Sequence, residues 1–315
     1  MVLSVEPPPS ADRGPHEERH ERDVPGGPPL PMGRRIALAG RGTTFVREVP
    51  GPAGAAGDAS SPTVLLLHGW IASGGLNWFQ AFGPLGARYR VLALDHRGHG
   101  RGIRSRRRFT LADCADDAAA LIDQLGAGPV VAVGYSLGGP VAQLLWKRHP
   151  DLVAGLVLAA TSHHLVPGRR EQMVFSSAMA AAAGSTRLGQ MALRVPNRHL
   201  RNRQAAAPPG RPDSLRDWAR AEMARHDPRA ILEAGVALAN YRGSWIDRID
   251  VPTGVLVTTR DRAVDPRSQV RMAERIPGAT IHRIDDGHVA CASRRFGPVL
   301  RRTVDAVVGR IHPTA

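Results

Sequence analysis

The 315-residue chain is 43% hydrophobic and carries a formal net charge of +14, so it is long and apolar enough to bury a sizeable core. Two cysteines, Cys114 and Cys291, are too few for a disulfide framework, and no apolar run of about 18 residues predicts a transmembrane helix. The first residues lack the basic start and apolar core of a signal peptide. We therefore expect a cytoplasmic protein without stable membrane insertion.

The positive charge comes almost entirely from arginine, since Lys147 is the only lysine. The arginines are scattered, apart from a cluster within residues 104–108 that consists of Arg104, Arg106, Arg107 and Arg108. One aromatic residue, Phe109, flanks that cluster, whereas platforms for single-stranded nucleic acid interleave several aromatics. We interpret the cluster as a solvated loop, with a contact to anionic lipid or substrate as the alternative, and predict no nucleic-acid partner.

The N-terminal part of the chain changes character twice. Residues 1–33 are rich in Pro, Glu, Arg and Gly and nearly free of large apolar residues, which predicts a disordered tail. RRIALAGRGTTFVREV (34–49) has the short β-branched runs of a hairpin. GPAGAAGDASSP (51–62) is too rich in Gly and Pro for regular structure, so we expect a flexible surface loop.

From residue 63 onward, short apolar runs alternate with helix-length segments. Continuous apolar runs are typical of strands buried on both faces of a parallel sheet. One helical segment begins after Thr110, a suitable N-cap, and ends at Gly126. The alternation predicts an α/β fold with a mostly parallel central sheet and helices on both faces. The predicted strands are TVLLL (63–67), RVLALD (90–95), PVVAVGY (129–135), AGLVLAA (154–160), TGVLVTT (253–259) and ATIHRID (279–285).

The strand rhythm stops between residues 161 and 246, where the chain is rich in Ala, Arg and Met and broken by prolines. This segment predicts a helical cap inserted into a core formed by residues 34–160 and 247–315. Its large apolar side chains suit an acyl pocket, or equally packing between cap helices. They are Met173, Phe175, Met179, Met191, Trp218, Met223, Tyr241 and Trp245.

Gly134-Tyr135-Ser136-Leu137-Gly138 follows a predicted strand and precedes a predicted helix. This is the strand–turn–helix context of a G-x-S-x-G nucleophile elbow, in which glycines two residues either side of the serine relieve steric crowding. His68-Gly69-Trp70 and Asp95-His96-Arg97-Gly98-His99-Gly100 end two earlier strands. Together these motifs resemble the α/β-hydrolase superfamily over residues 63–310.

The resemblance implies a site. Ser136 is the nucleophile, and the backbone N–H groups of Trp70 and Leu137 form the oxyanion hole. In the family's chain order, an acid and then a histidine follow the serine, which implies Asp261 and His288; Asp265 and His282 are the rivals. His68, Asp95 and His99 then have structural roles.

A serine at the elbow implies acyl transfer through a covalent acyl-enzyme, whereas relatives that cleave epoxides or carbon–halogen bonds need an aspartate there. We expect hydrolysis of a small or medium apolar ester or thioester, without metal or cofactor. Trp70, Asn77, Trp78 and Tyr135 are candidate substrate contacts. The alternatives are an acyltransferase or a perhydrolase/haloperoxidase-like enzyme with the same triad, and a non-catalytic ligand-binding protein. The sequence leaves the oligomeric state open.

Overall fold

A computed structural model describes residues 20–21, 27–52, 62–165, 169–192 and 214–311. The strands are β1 (His20–Glu21), β2 (Gly33–Leu38), β3 (Gly42–Val49), β4 (Val64–Leu67), β5 (Val91–Leu94), β6 (Val130–Tyr135), β7 (Val153–Ala159), β8 (Thr253–Thr258) and β9 (Thr280–Ile284). They form a nine-stranded sheet with strand order β1-β2-β3-β5-β4-β6-β7-β8-β9. The pairs β1–β2, β2–β3 and β3–β5 are antiparallel, and β4 to β9 pair in parallel, which confirms the predicted fold class.

The central strands are buried on both faces because helices cover each side of the sheet. The described helices are α1 (Gly74–Trp78), α2 (Phe82–Gly86), α3 (Leu111–Gln124), α4 (Gly138–Arg148), α5 (Arg169–Ala192), α6 (Leu215–Met223), α7 (Pro228–Asn240), α8 (Pro266–Arg275) and α9 (Phe296–Ile311). Leu65 and Leu67 of β4 belong to one apolar cluster, with α3, α4 and α8. Val64 and Leu66 belong to the other cluster, with α1, α2 and α9.

Helix α3 begins and ends where its sequence predicts. The Thr110 hydroxyl accepts a 2.9 Å hydrogen bond from the backbone N–H of Asp113, and Gly126 follows the helix with a left-handed φ of 53°. Helices α1 and α2 were not predicted. Each has five residues, too few for a helical period to show in the sequence.

Residues 27–33 of the predicted tail are described and contact the core. Leu30 packs against the cluster that contains α9, and the carbonyl of Pro31 accepts a 2.7 Å hydrogen bond from Arg47. The rest of the predicted tail (residues 1–19 and 22–26) and most of the predicted surface loop (residues 53–61) lie outside the described residues.

Between β7 and β8, the described part of the chain forms α5, α6, α7 and a 3-10 helix at Ile246–Arg248, with no strand. We retain 161–246 as the proposed limits of the cap.

Among the residues that the structure describes, no helix is long and apolar enough to cross a membrane. Cys114 is buried in α3, and burial raises the pKa of Cys291 to about 11.

Candidate active site

The turn between β6 and α4 holds Ser136 in a left-handed conformation, with φ of 51°. Such a conformation costs free energy for a residue with a side chain, and it marks the sharp turn between the strand and the helix. A Cβ on Gly134 would lie 2.3 Å from the carbonyl oxygen of Gly138, and one on Gly138 would lie 1.9 Å from the carbonyl oxygen of Leu67. Both positions therefore require glycine, as the elbow motif predicts.

The structure brings together the serine, histidine and aspartate that the sequence singles out. Ser136 Oγ lies 3.0 Å from His288 Nε2, and His288 Nδ1 lies 2.8 Å from Asp261 Oδ2. A carboxylate accepts but does not donate, so Nδ1 carries the proton and Nε2 is free to accept from the serine hydroxyl. An imidazole in this tautomer can act as a base toward Ser136.

Asp261 is buried and receives hydrogen bonds on both oxygens. Oδ2 accepts from His288 and from the Thr258 hydroxyl at 2.7 Å, and Oδ1 accepts from the backbone N–H groups of Ala263 and Val264 at 2.8 and 2.9 Å. Burial alone would raise the pKa of this carboxyl group, but the hydrogen bonds from His288, Val264 and Thr258 outweigh it and lower the pKa. Asp261 therefore stays ionised at neutral pH.

Two polar residues around Asp261 were not predicted. Thr258 ends β8, and the amide of Gln269 in α8 donates to the Thr258 hydroxyl at 2.9 Å and to the Val264 carbonyl at 2.9 Å. Both side chains are buried and contact residues 261–264, the segment after β8 that we call the acid loop. No short motif contains them, because Gln269 reaches the acid only through the packing of α8 on β8.

The rival residues are occupied elsewhere. The Asp265 carboxylate caps α8 by accepting from the N–H of Arg267 at 3.0 Å, and His282 lies within β9. Arg260, next to the acid, pairs with Asp285 at 3.0 Å rather than with Asp261, and both partners are exposed. The adjacent arginine thus leaves the carboxylate of Asp261 to His288.

The loop after β4 lies against the serine. A Cβ on Gly69 would be 3.4 Å from Ser136 Cβ, and the Gly69 N–H donates a 2.8 Å hydrogen bond to Asn77 Oδ1. The His68 ring is buried, with Nδ1 donating to the Gly69 carbonyl and Nε2 accepting from the His96 N–H. These contacts give His68 its expected structural role. They place the loop of Trp70 beside Ser136, where an oxyanion hole shared with Leu137 is proposed.

The four candidate substrate contacts separate into two groups. Trp70 is half-buried beside Phe175 of α5, and Asn77 braces the loop at Gly69. Trp78 is 0% exposed and packs against Phe296 inside the core, and Tyr135 is buried beside them. The Trp78 and Tyr135 side chains are thus buried among core residues, whereas Trp70 is partly exposed.

The turn at 95–100 keeps the shape of the surrounding loops, as the resemblance implies. The Asp95 carboxylate accepts 2.7 Å hydrogen bonds from the N–H groups of Gly74 and Arg101. Beside it lies a buried group that we call the histidine cluster. Its four rings belong to His68, His96, His99 and His226, with adjacent centroids 4.3 to 5.5 Å apart.

Part of the arginine cluster at 104–108 joins this turn to the cap. The guanidinium of Arg104 donates to the carbonyl oxygens of Gly100 and Arg225 at 2.5 and 2.6 Å. Residues 106–108 are exposed. Within the described residues, no three His, Cys, Asp or Glu side chains are arranged to hold a metal ion.

The model of the alpha/beta hydrolase fold family matches residues 62–294. This is well over half of the chain, so the protein belongs to the alpha/beta hydrolase fold family.

Two known proteins are similar to this chain over most of their length. The pimeloyl-[acyl-carrier protein] methyl ester esterase of Chromobacterium violaceum is 33% identical over 228 residues, which cover 70% of this chain and 84% of that one. The magnesium-chelatase 30 kDa subunit of Rhodobacter capsulatus is 30% identical over 241 residues, covering 74% and 82%. A thermophilic esterase from Thermogutta terrifontis has the same fold, with a TM-score of 0.66 at 23% identity over 88% of this chain and 98% of that chain.

Proposed function

We propose that this protein is a serine hydrolase that cleaves a carboxylic ester through an acyl-enzyme. The observation that carries the proposal is the continuous line from Ser136 Oγ through the imidazole of His288 to the Asp261 carboxylate, with contacts of 3.0 and 2.8 Å. A related chain named a methyl ester esterase supports the same reaction class.

In the first half of the reaction, Ser136 Oγ attacks the ester carbonyl carbon while His288 Nε2 takes the hydroxyl proton. The negative charge that develops on the carbonyl oxygen is held by the N–H groups of Trp70 and Leu137. Donors of this kind each contribute about 10²–10³-fold to turnover in related chemistry. The tetrahedral intermediate collapses by breaking the bond to the alcohol, which leaves with the proton held on Nε2.

In the second half, water attacks the acyl-serine. His288 takes one water proton and returns it to Ser136 Oγ as the ester bond to the serine breaks, so the carboxylic acid is released and the enzyme regenerated. Asp261 remains ionised throughout and stabilises the imidazolium that forms in each half-reaction. The proton of the Ser136 hydroxyl thus leaves with the alcohol, and one proton of the water restores the hydroxyl.

We propose a small or medium apolar acyl group. Ile71 and Val289, which directly follow Trp70 and His288, are exposed despite being apolar, with Val289 70% accessible. Phe175 of α5 meets the Trp70 ring edge-on, with centroids 6.1 Å apart. We propose that these apolar side chains line the acyl site, where they favour hydrocarbon over charged acyl chains.

The test is turnover of p-nitrophenyl esters of increasing acyl length by the wild type, Ser136→Ala and Ser162→Ala. Ser162 is a buried serine whose hydroxyl donates to the carbonyl of Ser268, so it serves as the matched control. We expect turnover in the wild type and control and its loss in Ser136→Ala. Turnover retained by Ser136→Ala would refute the mechanism, and product formed only with an added alcohol or peroxide would reassign the enzyme to acyl transfer.

A further inference from the structure

The side chain of Tyr135, which precedes Ser136, makes a direct contact with the backbone of His288. Its hydroxyl donates a 2.7 Å hydrogen bond to the His288 carbonyl oxygen. The ring is buried, with Trp78 and Phe296 edge-on at centroid distances of 6.1 and 5.7 Å. Tyr135 is therefore fixed in the core while its hydroxyl reaches the loop that carries the histidine.

That loop needs an anchor. His288 lies between β9 and a 3-10 helix at Ala290–Ala292, and the next residue, Val289, is exposed. Asp261 holds one nitrogen of the imidazole, whereas the backbone carbonyl of His288 is bound by the Tyr135 hydroxyl. A shift of about 1 Å in a reacting group can lower turnover by about 100-fold, so the position of this backbone matters to the chemistry.

We propose that Tyr135 is a positioning residue for His288: its hydroxyl fixes the backbone of the base relative to the nucleophile that follows Tyr135 in the chain. The inference rests on the proposed function of Ser136 and His288. It gives the second residue of the elbow motif a role, because the buried Tyr135 ring packs in the core while its hydroxyl reaches His288. One short segment then sets both the nucleophile and the distance to its base.

The contact persists over a wide pH range. Burial raises the pKa of Tyr135 well above its usual value, so the hydroxyl stays protonated and remains a donor wherever the enzyme is folded.

The chain contains three tyrosines, which permits a matched comparison. Tyr89 is also buried, and its hydroxyl donates to the Asp305 carboxylate at 2.6 Å, on α9. We expect Tyr135→Phe to lower kcat about 10-fold with KM changed less than twofold, and Tyr89→Phe to leave both constants unchanged. Rates are normalised to the folded fraction, so that a loss of stability common to both variants cancels.

A double-mutant cycle separates positioning of His288 from distortion of the elbow. The rate of Ser136 labelling by a fluorophosphonate is measured in the wild type, Tyr135→Phe, His288→Ala and the double variant. If Tyr135 acts through His288, the phenylalanine slows labelling about 10-fold in the wild type and not at all in the His288→Ala background. Equal slowing in both backgrounds overturns the inference.

A third measurement does not depend on turnover. The imidazole N–H proton that His288 shares with Asp261 is observed by NMR in the wild type, Tyr135→Phe and Tyr89→Phe. We expect its resonance to shift and its exchange with solvent to quicken in Tyr135→Phe alone. An unchanged resonance overturns the positioning role even if the protein hydrolyses no ester, whereas a changed resonance without any labelling of Ser136 would refute the proposed function and not the contact.

Discussion

The indole N–H of Trp70 donates a 2.9 Å hydrogen bond to the carbonyl oxygen of Ile231 in α7. The same ring lies close to Gly235, where a Cβ would come within 2.9 Å of the indole Cζ2. The loop that contributes one proposed oxyanion donor is thus fastened to a helix of the cap. We therefore expect a shift of α7 to move the loop that carries the proposed oxyanion donor of Trp70.

Trp70→Phe removes the N–H donor and keeps an aromatic ring. Because a hydrogen bond of this kind contributes about 1 kcal/mol and its loss frees the loop, we expect kcat/KM for the preferred ester to fall about 5- to 10-fold. Trp146→Phe is the control, since the Trp146 indole also donates one bond, to Asp250 at 3.0 Å, at the far end of α4. Equal kinetics in the two variants would show that the contact with α7 has no bearing on turnover.

Asp261→Asn should lower kcat by about 10³- to 10⁴-fold with little change in KM. The amide can donate to Nδ1 of His288 and so favours the tautomer in which Nε2 carries a proton and no longer accepts from Ser136. Steady-state kinetics on the same ester measure the effect.

Asp265→Asn is the control for that substitution. Its side chain caps α8, and asparagine caps a helix as well as aspartate does, so activity and stability should stay within about twofold and 0.5 kcal/mol. A large loss in this variant, with little in Asp261→Asn, would transfer the role of the acid to Asp265.

The sequence predicts the central strands because each is continuously apolar, and this pattern follows directly from burial on both faces of the sheet. The resemblance to the α/β-hydrolase superfamily implies Ser136, Asp261 and His288, which follow predicted strands within three residues. The elbow glycines can be predicted from the sequence motif because the site is crowded: a Cβ on Gly138 would clash with the Leu67 carbonyl oxygen.

The sequence does not predict in the same way which direction the side chains around the elbow take. Tyr135 and Trp78 lie near the site in sequence, but the packing of Phe296, more than 150 positions away, shows that they face the core. The role of Gln269 cannot be predicted from the sequence for a similar reason. Its contact with the acid loop exists only once α8 has packed on β8.

The histidine cluster predicts a loss of stability in mild acid. Burial, and then the charge of His68, lower the pKa of His226 to about 4, against about 6.5 in an unfolded chain. Between these values the unfolded state binds more protons, so the stabilising contribution is complete above pH 6.5 and declines as the pH falls toward 4. For His226 alone the loss amounts to roughly 3 kcal/mol, measured by urea unfolding at pH 7.5 and pH 4.5.

His226→Asn isolates this contribution. The imidazole Nδ1 accepts a 2.8 Å hydrogen bond from the Gly100 N–H, and an asparagine oxygen can accept in its place without titrating. We expect the variant to lose less stability between the two pH values than the wild type. Identical pH dependence would place the acid sensitivity elsewhere, at His96 or His99, whose pKa values burial also lowers.

Two glycine-to-alanine substitutions should have opposite effects on stability. At Gly138 the new Cβ would meet the Leu67 carbonyl at 1.9 Å, a backbone contact that no side-chain rotation relieves, so Gly138→Ala should unfold the elbow and abolish fluorophosphonate labelling. At Gly184, within α5, the Cβ would meet nothing within 4 Å. Because alanine favours a helix over glycine by about 1 kcal/mol, Gly184→Ala should raise the free energy of unfolding by up to that amount and leave labelling unchanged. Thermal unfolding of both variants measures the difference, and a stable, fully labelled Gly138→Ala protein would contradict the close approach of α4 to β4.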